Sequence, residues 1–185
     1  MVTGGKAGQA VPLFLQAIRL GNAKSSYLPG AWLLLGDAAH AIVPFYGQGM
    51  NCAFEDCVVL DRCIERHGTE WAEIFREFES LRKENTDAIA ELAVDNFIEM
   101  RDSTADPKFP LKRELEHLLE KKYPGEFLSK YSMVTFHRIP YAEALRKGRI
   151  QDLVIKSIVD RVKSIEEVNL EKVFQQMKQA CGSTA

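Results

Sequence analysis

Apolar residues recur every three or four positions through most of the chain, which is the spacing of one face of an α-helix. Gly68 ends the first such pattern, and Pro107 and Pro110 interrupt the chain after the second. Pro140 opens a helical tail. The predicted helices cover residues 50–67, 69–101, 111–122 and 140–180, the last divided near Ser164.

Two short segments have the composition of strands. Residues 31–35 are apolar on both faces, as in a strand buried on both sides, and residues 131–138 are rich in aromatic and β-branched side chains. A strand buried on both faces needs partner strands for its backbone groups, and the rest of the sequence does not visibly supply them. The predicted fold class is therefore an α/β remnant followed by a mainly α-helical carboxyl-terminal domain. Residues 1–24 form an unassigned leader with a short helix over 11–20.

Composition indicates an ordinary soluble globular protein. The 185 residues carry 24 Lys and Arg against 26 Asp and Glu, a net charge of −2, and 46% are hydrophobic. No basic block is available for nucleic acid, and the longest apolar run, residues 31–35, is too short to span a bilayer. The four cysteines form no CxxC pair and predict no metal site. Reduced thiols without a secretory signal favour the cytoplasm.

One segment has the composition of a binding site. Gly36-Asp37-Ala38-Ala39-His40 follows the predicted strand, and a glycine-containing loop leads to the helix that starts at Met50. The Asp37 carboxylate can accept a hydrogen bond from a ligand hydroxyl. Gly47 and Gly49 let the backbone approach a flat group closely. The first N–H groups of the helix favour negative charge.

This segment resembles the second flavin-contacting motif of the FAD-dependent aromatic hydroxylases. In that family the aspartate holds a ribityl hydroxyl, and the helix N-terminus contacts the pyrimidine end of the flavin. The resemblance implies FAD as resident cofactor, NADPH as transient reductant and O2 as co-substrate, with no metal and no catalytic protein residue. Gln48 could instead only fix the loop. The implied cofactor-binding residues are Gly36, Asp37, Pro44, Gly47, Gln48, Gly49, Met50 and Asn51.

Segments 95–102, 131–136 and 139–144 narrow the resemblance to members that hydroxylate L-kynurenine. The implied reaction gives 3-hydroxykynurenine through a flavin C4a-hydroperoxide. The implied substrate-binding residues are Phe45 and Met100 beside the aromatic ring, Asn96 near the amino acid end and Tyr131 on the carboxylate. Spacing alone favours structural roles instead, with Asn96 bonded to a neighbouring loop and the Tyr131 hydroxyl in water.

The resemblance runs from about residue 26 to about 151. It divides the chain into the leader, the second FAD-contacting part of a flavin monooxygenase domain over 25–101, and a helical domain over 102–185. The GxGxxG fingerprint with which family members hold the ADP half of FAD does not occur in the sequence. We therefore expect a fragment that needs the amino-terminal half of the enzyme and is inactive alone.

Other interpretations remain open at this stage. The chain could belong to a different FAD-dependent aromatic hydroxylase, or be a non-catalytic helical fragment or interaction module. His40 has no second ligand at metal spacing, which favours a structural role. Glu55 and Asp56 point to different faces of a helix and indicate packing contacts with a neighbouring loop rather than paired acid–base catalysts.

Overall fold

The structure is a computed structural model that describes residues 33–103 and 106–182. Within these ranges it is built from helices and loops and contains no β-strand. A short 3-10 helix, Ile165–Glu167, precedes the last α-helix. The α-helices are α1 Asp37–His40, α2 Gly49–His67, α3 Trp71–Ser103, α4 Phe109–Lys122, α5 Lys130–Thr135, α6 Tyr141–Val159 and α7 Leu170–Gly182.

The long predicted helices are confirmed, including the break near Ser164. The chain divides into two compact units, Met1–Phe97 and Ile98–Ala185. The domain division at residues 101 and 102 stays a prediction. In the described part, no helix combines the length and the apolar character needed to cross a bilayer.

The strand predicted over residues 31–35 is not confirmed. Residues 33–35 have no regular structure, and residues 31–32 lie outside the described residues, as does the leader with its predicted helix. The α/β architecture is therefore not confirmed. A single strand cannot form a ladder without a neighbour, and the described ranges hold none.

The prediction of an extended segment over residues 131–138 is wrong, because helix α5 occupies Lys130–Thr135. The Ser129 hydroxyl oxygen accepts a hydrogen bond from the Ser132 N–H at 3.2 Å, which caps the helix start. One turn then buries Met133 and Val134 side by side. Cap and burial together outweigh the strand preference of the β-branched residues.

In the first unit, helices α2 and α3 pack against each other. Gly68 ends α2 with a positive φ of 60°, and its N–H donates to the Ile64 carbonyl at 2.7 Å. Leu33, Leu34 and Leu35 lie against the same core, which brings the chain to the motif that follows. The buried residues of this core are Ala39, Cys63, Ile74 and Phe78.

In the second unit, helices α4, α6 and α7 enclose a larger apolar core. The rings of Tyr123 and Phe174 stack with centroids 3.8 Å apart, which joins the end of α4 to α7. The 3-10 helix contributes Ile165 to the edge of this core. The buried residues are Leu115, Leu119, Phe127, Ile155, Val159, Val173, Phe174 and Met177.

Candidate functional site

Gly36 forms a sharp turn at the start of the motif. Its φ is 56°, in the left-handed region, and its carbonyl accepts the N–H groups of Ala39 and His40 at 2.8 and 2.9 Å. These bonds make α1, a helix that the sequence pattern did not predict. A Cβ at Gly36 would lie 3.1 Å from the Cβ of Ala53 on α2. Conformation and space therefore both favour glycine here.

Asp37 lies beside the first residue of α2. A Cβ built on Gly49 would be 3.7 Å from Asp37 Oδ1, and the Asp37 side chain is exposed. The first N–H groups of a helix have no partner within the helix. A carboxylate acceptor and a set of backbone donors thus lie next to each other, at the positive end of the dipole of α2.

The loop between α1 and α2 is held by its own polar groups. The Gly47 N–H donates to the Pro44 carbonyl at 3.2 Å, and Gly47 has a φ of 65°. Gln48 is buried, and its Oε1 accepts the side-chain amide of Asn51 at 3.0 Å. Gln48 therefore fixes the loop to the first turn of α2, one of the two roles that the sequence left open.

Asn96 ties α3 to the same loop. Its Nδ2 donates to the Phe45 carbonyl at 2.8 Å, and Asn96 is buried. The rings of Phe45 and Phe97 lie with centroids 4.5 Å apart, tilted by 34°. Two of the four predicted substrate residues are thereby joined directly, and this bond to a neighbouring loop is the structural role that spacing alone favours for Asn96.

Three further predicted site residues also lie at the surface. Met100 and Tyr131 belong to the second unit, where about half of Met100 and two fifths of Tyr131 are accessible to solvent. Met50, at the start of α2, is 68% exposed. The structure thus brings together Asp37, Gln48, Gly49 and Asn51 in one place, and Phe45 with Asn96 beside them.

A buried polar network supports the motif from behind. One Asp56 oxygen, Oδ2, accepts the Gly36 N–H at 2.9 Å and lies 2.6 Å from His40 Nε2. The other oxygen accepts Arg82 Nε at 2.7 Å. Arg82 also donates to Glu55 at 2.9 Å and to the Cys52 carbonyl at 3.2 Å. We call Asp56, His40, Arg82 and Glu55 the rear network.

Charge is balanced within the rear network. Burial by itself would lower the pKa of His40, but its hydrogen bonds with Asp56 and Cys52 outweigh burial and raise that pKa to about 10. Burial would likewise raise the pKa of Asp56, yet the bonds from His40, Gly36 and Arg82 keep it below its usual range. Two cations therefore face two carboxylates at neutral pH.

His40, Cys52 and Asp56 also lie close enough to one another to suggest a metal site, since their candidate ligand atoms are all within 4.8 Å. Arg82 already provides the cation of this cluster, because its guanidinium donates to Asp56 and, at 3.2 Å, to Cys52 Sγ. A metal ion would have to displace it. The structural interpretation of His40 and the loop contact expected for Asp56 agree with this arrangement.

Sequence reasoning missed Arg82. It stands four residues after Phe78, on the apolar stripe of α3, and is only 4% exposed, whereas its apolar neighbour Leu81 is 46% exposed. A charged residue on the buried stripe, with Glu55-Asp56 on the preceding helix, is the signal that could have identified it.

Comparison with known proteins supports the resemblance of the segment 36–51 to a flavin-binding motif. Residues 21–90 match a family model described as an FAD binding domain. A kynurenine 3-monooxygenase of Myxococcus xanthus is 50% identical over 146 residues, which are 79% of this chain and 31% of that protein. The kynurenine 3-monooxygenase of Flavobacterium johnsoniae is 48% identical over 135 residues, which are 73% of this chain and 30% of that protein.

The Dictyostelium discoideum kynurenine 3-monooxygenase is 42% identical over 156 residues, covering 78% of this chain and 33% of that protein. The chain spans about a third of the length of the curated relatives it matches. The resemblance inferred from the motifs is thus confirmed, for part of those proteins.

Proposed function

Because this chain is a relative of the kynurenine 3-monooxygenases, which are FAD-dependent aromatic hydroxylases, we propose that its first unit forms the flavin-contacting loop of such an enzyme. Together with the amino-terminal half, it hydroxylates L-kynurenine to 3-hydroxykynurenine with NADPH and O2. The observation that carries the proposal is the Asp37 carboxylate beside the first residue of α2, on a turn held by Asp56.

The donor and acceptor set of this loop fits FAD. Asp37 is an acceptor suited to a ribityl hydroxyl. The N–H groups at the start of α2 are donors suited to the carbonyl oxygens at the pyrimidine end of the ring. The helix dipole there favours the negative charge that reduction places on the flavin. Bound FAD supplies the redox and oxygen chemistry, while the protein positions the ring and excludes water.

Substrate binding is assigned to Phe45, Asn96, Met100 and Tyr131. Asn96 sets the position of Phe45 through the bond to its carbonyl oxygen, and Phe97 packs on the Phe45 ring. Phe45 and Met100 offer apolar surface to an aromatic ring. The Tyr131 hydroxyl is a donor for the carboxylate of the substrate. The cytoplasmic location expected from the sequence belongs to the same proposal.

An FAD titration with a matched pair of variants tests the flavin assignment. Asp37→Asn removes the carboxylate from the loop, whereas Asp61→Asn makes the same change on an exposed position of α2. We expect FAD affinity to fall by about tenfold in the first variant, the worth of one charge-assisted hydrogen bond, and to stay unchanged in the second. Flavin fluorescence and the visible spectrum report binding.

The titration should be made with the 185-residue chain and with the chain fused behind the preceding part of the Myxococcus xanthus relative. In the fusion, L-kynurenine should stimulate NADPH oxidation more than p-hydroxybenzoate or salicylate does. Equal FAD affinity of Asp37→Asn and wild type in both proteins contradicts the flavin assignment. Stimulation by the phenols alone assigns the chain to a different aromatic hydroxylase.

A further inference from the structure

Four charged side chains form an alternating ring in the second unit. Lys112 Nζ lies 2.9 Å from Glu99 Oε1 and 2.9 Å from Asp152 Oδ1. Lys130 Nζ lies 2.6 Å from Asp152 Oδ2 and 3.6 Å from Glu99 Oε2. We call this set the charge ring. Each ammonium faces both carboxylates, and each carboxylate faces both ammonium groups.

The charge ring joins four helices at one point. Glu99 belongs to α3, Lys112 to α4, Lys130 is the first residue of α5, and Asp152 belongs to α6. Burial would raise the pKa of Glu99 and of Asp152, but the two lysines outweigh it and keep both values low. All the carboxylates of the ring are therefore ionised at neutral pH.

Gly148 leaves the space through which Lys130 reaches the ring. A Cβ at Gly148 would lie 2.7 Å from the Cδ and Cγ atoms of Lys130 and 3.1 Å from its Cβ. Glycine inside a helix costs about 1 kcal/mol relative to alanine. Its place in the middle of α6 therefore has a packing reason, namely the Lys130 stem.

Two further bonds fix the residues just before Lys130, at the start of α5. The Ser129 N–H donates to Glu120 at 2.8 Å, and the Gln151 amide donates to the Leu128 carbonyl at 2.8 Å. Tyr131 follows Lys130 directly, just as Met100 follows Glu99. The Glu99–Lys130 contact thus joins the immediate neighbours of two residues assigned to the substrate.

We propose that the charge ring is a positioning device for substrate binding, in which Lys130, held by Glu99 and Asp152 over Gly148, sets the place of the Tyr131 hydroxyl. Lys112 bridges the same two carboxylates and offsets their mutual repulsion. The recognised group is the carboxylate of an α-amino acid substrate, an assignment that rests on the proposed function. Glu99, Lys112 and Asp152 act through Lys130 and are positioning residues.

A fluorine label at Tyr131 tests this inference without turnover. 3-Fluorotyrosine is placed at position 131 of the 185-residue chain, and its 19F resonance is recorded in Lys130→Met, Gly148→Ala and Lys130→Arg. The matched control is Lys147→Met, which breaks a partly exposed pair with Glu143 on α6. We expect a shifted and broadened resonance in the first two variants, recovery in Lys130→Arg, and no change in the control.

An unchanged resonance in a folded Lys130→Met or Gly148→Ala protein overturns the inference. If Lys130→Met does not fold, as judged by circular dichroism, Gly148→Ala decides the question, because it displaces the Lys130 stem and leaves all four charges in place. A change of equal size in Lys147→Met also overturns it, since the label would then report general loosening of the unit.

Kinetics of the fused protein separate this inference from the proposed function. Lys130→Met should raise the KM for L-kynurenine by about tenfold, the factor of one charge-assisted hydrogen bond, with kcat and flavin content retained. A purely structural role would lower flavin content and kcat instead. Absence of kynurenine turnover in the wild-type fusion contradicts the proposed function, while the 19F result still decides whether the charge ring positions Tyr131.

Discussion

The two units solve the same problem, two cations facing two carboxylates, in different surroundings. In the rear network the side chains of Asp56, His40 and Arg82 are 1 to 4% exposed, and one carboxylate collects three donors. In the charge ring the exposed fractions run from 14% at Lys130 to 33% at Asp152, and each charge has two opposite neighbours.

This difference predicts how each network responds to loss of a partner. Water can reach the charge ring. A group that loses one neighbour is therefore stabilised by solvent and by its remaining opposite charge, and the cost in stability is small. Water does not reach Asp56, His40 or Arg82, so removal of the Asp56 carboxylate leaves two buried cations with only the half-exposed Glu55 as counter-charge. The rear network also binds the Gly36 N–H, at the start of the proposed flavin-contacting loop, whereas the charge ring consists of side-chain contacts alone.

The largest expected effect follows from removing the central charge of the rear network. Asp56→Asn leaves Arg82 and His40 buried with a single carboxylate, and we expect the free energy of unfolding of the first unit to fall by about 4 kcal/mol. Asp61→Asn, on the exposed side of α2, should change it by less than about 0.5 kcal/mol. Urea unfolding, with hydrogen exchange of α2 peptides, measures both. If Asp56→Asn lowers the free energy of unfolding by only about 1 kcal/mol, the amount expected for the charge ring, the proposed difference between the two networks is contradicted.

A smaller effect is expected from alkaline pH. The pKa of His40 is raised from 6.5 in the unfolded chain to about 10 in the folded one, so its contribution to stability is complete below pH 6.5 and is lost as pH rises through 10. The loss is less than that of Asp56→Asn, because neutral imidazole can still donate to Asp56 through Nε2. Urea midpoints between pH 6 and pH 10 should fall for wild type.

His40→Gln provides the comparison, because it keeps a donor without a titrating ring. Its urea midpoints should stay constant between pH 6 and pH 10.

The charge ring predicts a loss of stability in a different pH range. The pKa values of Glu99 and Asp152 are lowered, so stability of the second unit is lost as pH falls below about 4.5, where unfolded carboxyls titrate. If α6 peptides lose hydrogen-exchange protection at alkaline pH in parallel with α2 peptides, the assignment of the alkaline effect to His40 is contradicted.

Next in size are the effects at two of the glycines of the first unit with left-handed φ, Gly36 and Gly68. Gly36→Ala and Gly68→Ala impose similar backbone strain, of about 1 kcal/mol. Only at Gly36 does the added methyl meet another atom, Ala53 Cβ at 3.1 Å. We expect Gly36→Ala to cost about 1 kcal/mol more than Gly68→Ala in urea unfolding. Equal costs would show that α2 moves aside without penalty.

The smallest expected effect is in the charge ring. Asp152→Asn leaves Glu99 facing both lysines, and the site is partly solvated, so the loss is about 1 kcal/mol and shrinks further in molar NaCl. Asp160→Asn, on an exposed residue just after α6, serves as the control. Urea unfolding with hydrogen exchange of α4 and α6 peptides gives the values. A loss as large as that of Asp56→Asn would show that water does not reach the charge ring.

The sequence predicted what depends on local spacing. The apolar stripe from Ile74 to Leu92 identified α3, and the glycine-flanked motif identified the loop that leads into α2. Helix α5 was missed because it has only six residues and depends on one cap, Ser129. Short apolar runs do not distinguish a strand from a helix by periodicity alone.

The rear network could not be deduced from local spacing, because its bonds link residues far apart in sequence. Gly36 and Asp56 are 20 residues apart, and Asp56 and Arg82 are 26 apart. Which face of α2 meets which face of α3 is decided by packing of the apolar core. The sequence marks Arg82 as an anomaly on an apolar stripe without identifying its partner.

The rear network also limits how this unit can evolve. An apolar set of similar volume at positions 40, 56 and 82 would avoid the desolvation of the buried charges, which buried ion pairs repay only in part, but it would take the acceptor from the Gly36 N–H. Any stepwise exchange of the three residues begins with a single substitution that leaves a buried charge without its partner. The effect of a substitution at Arg82 therefore depends on the residue at position 56. This strong epistasis means that the three positions should exchange together or not at all.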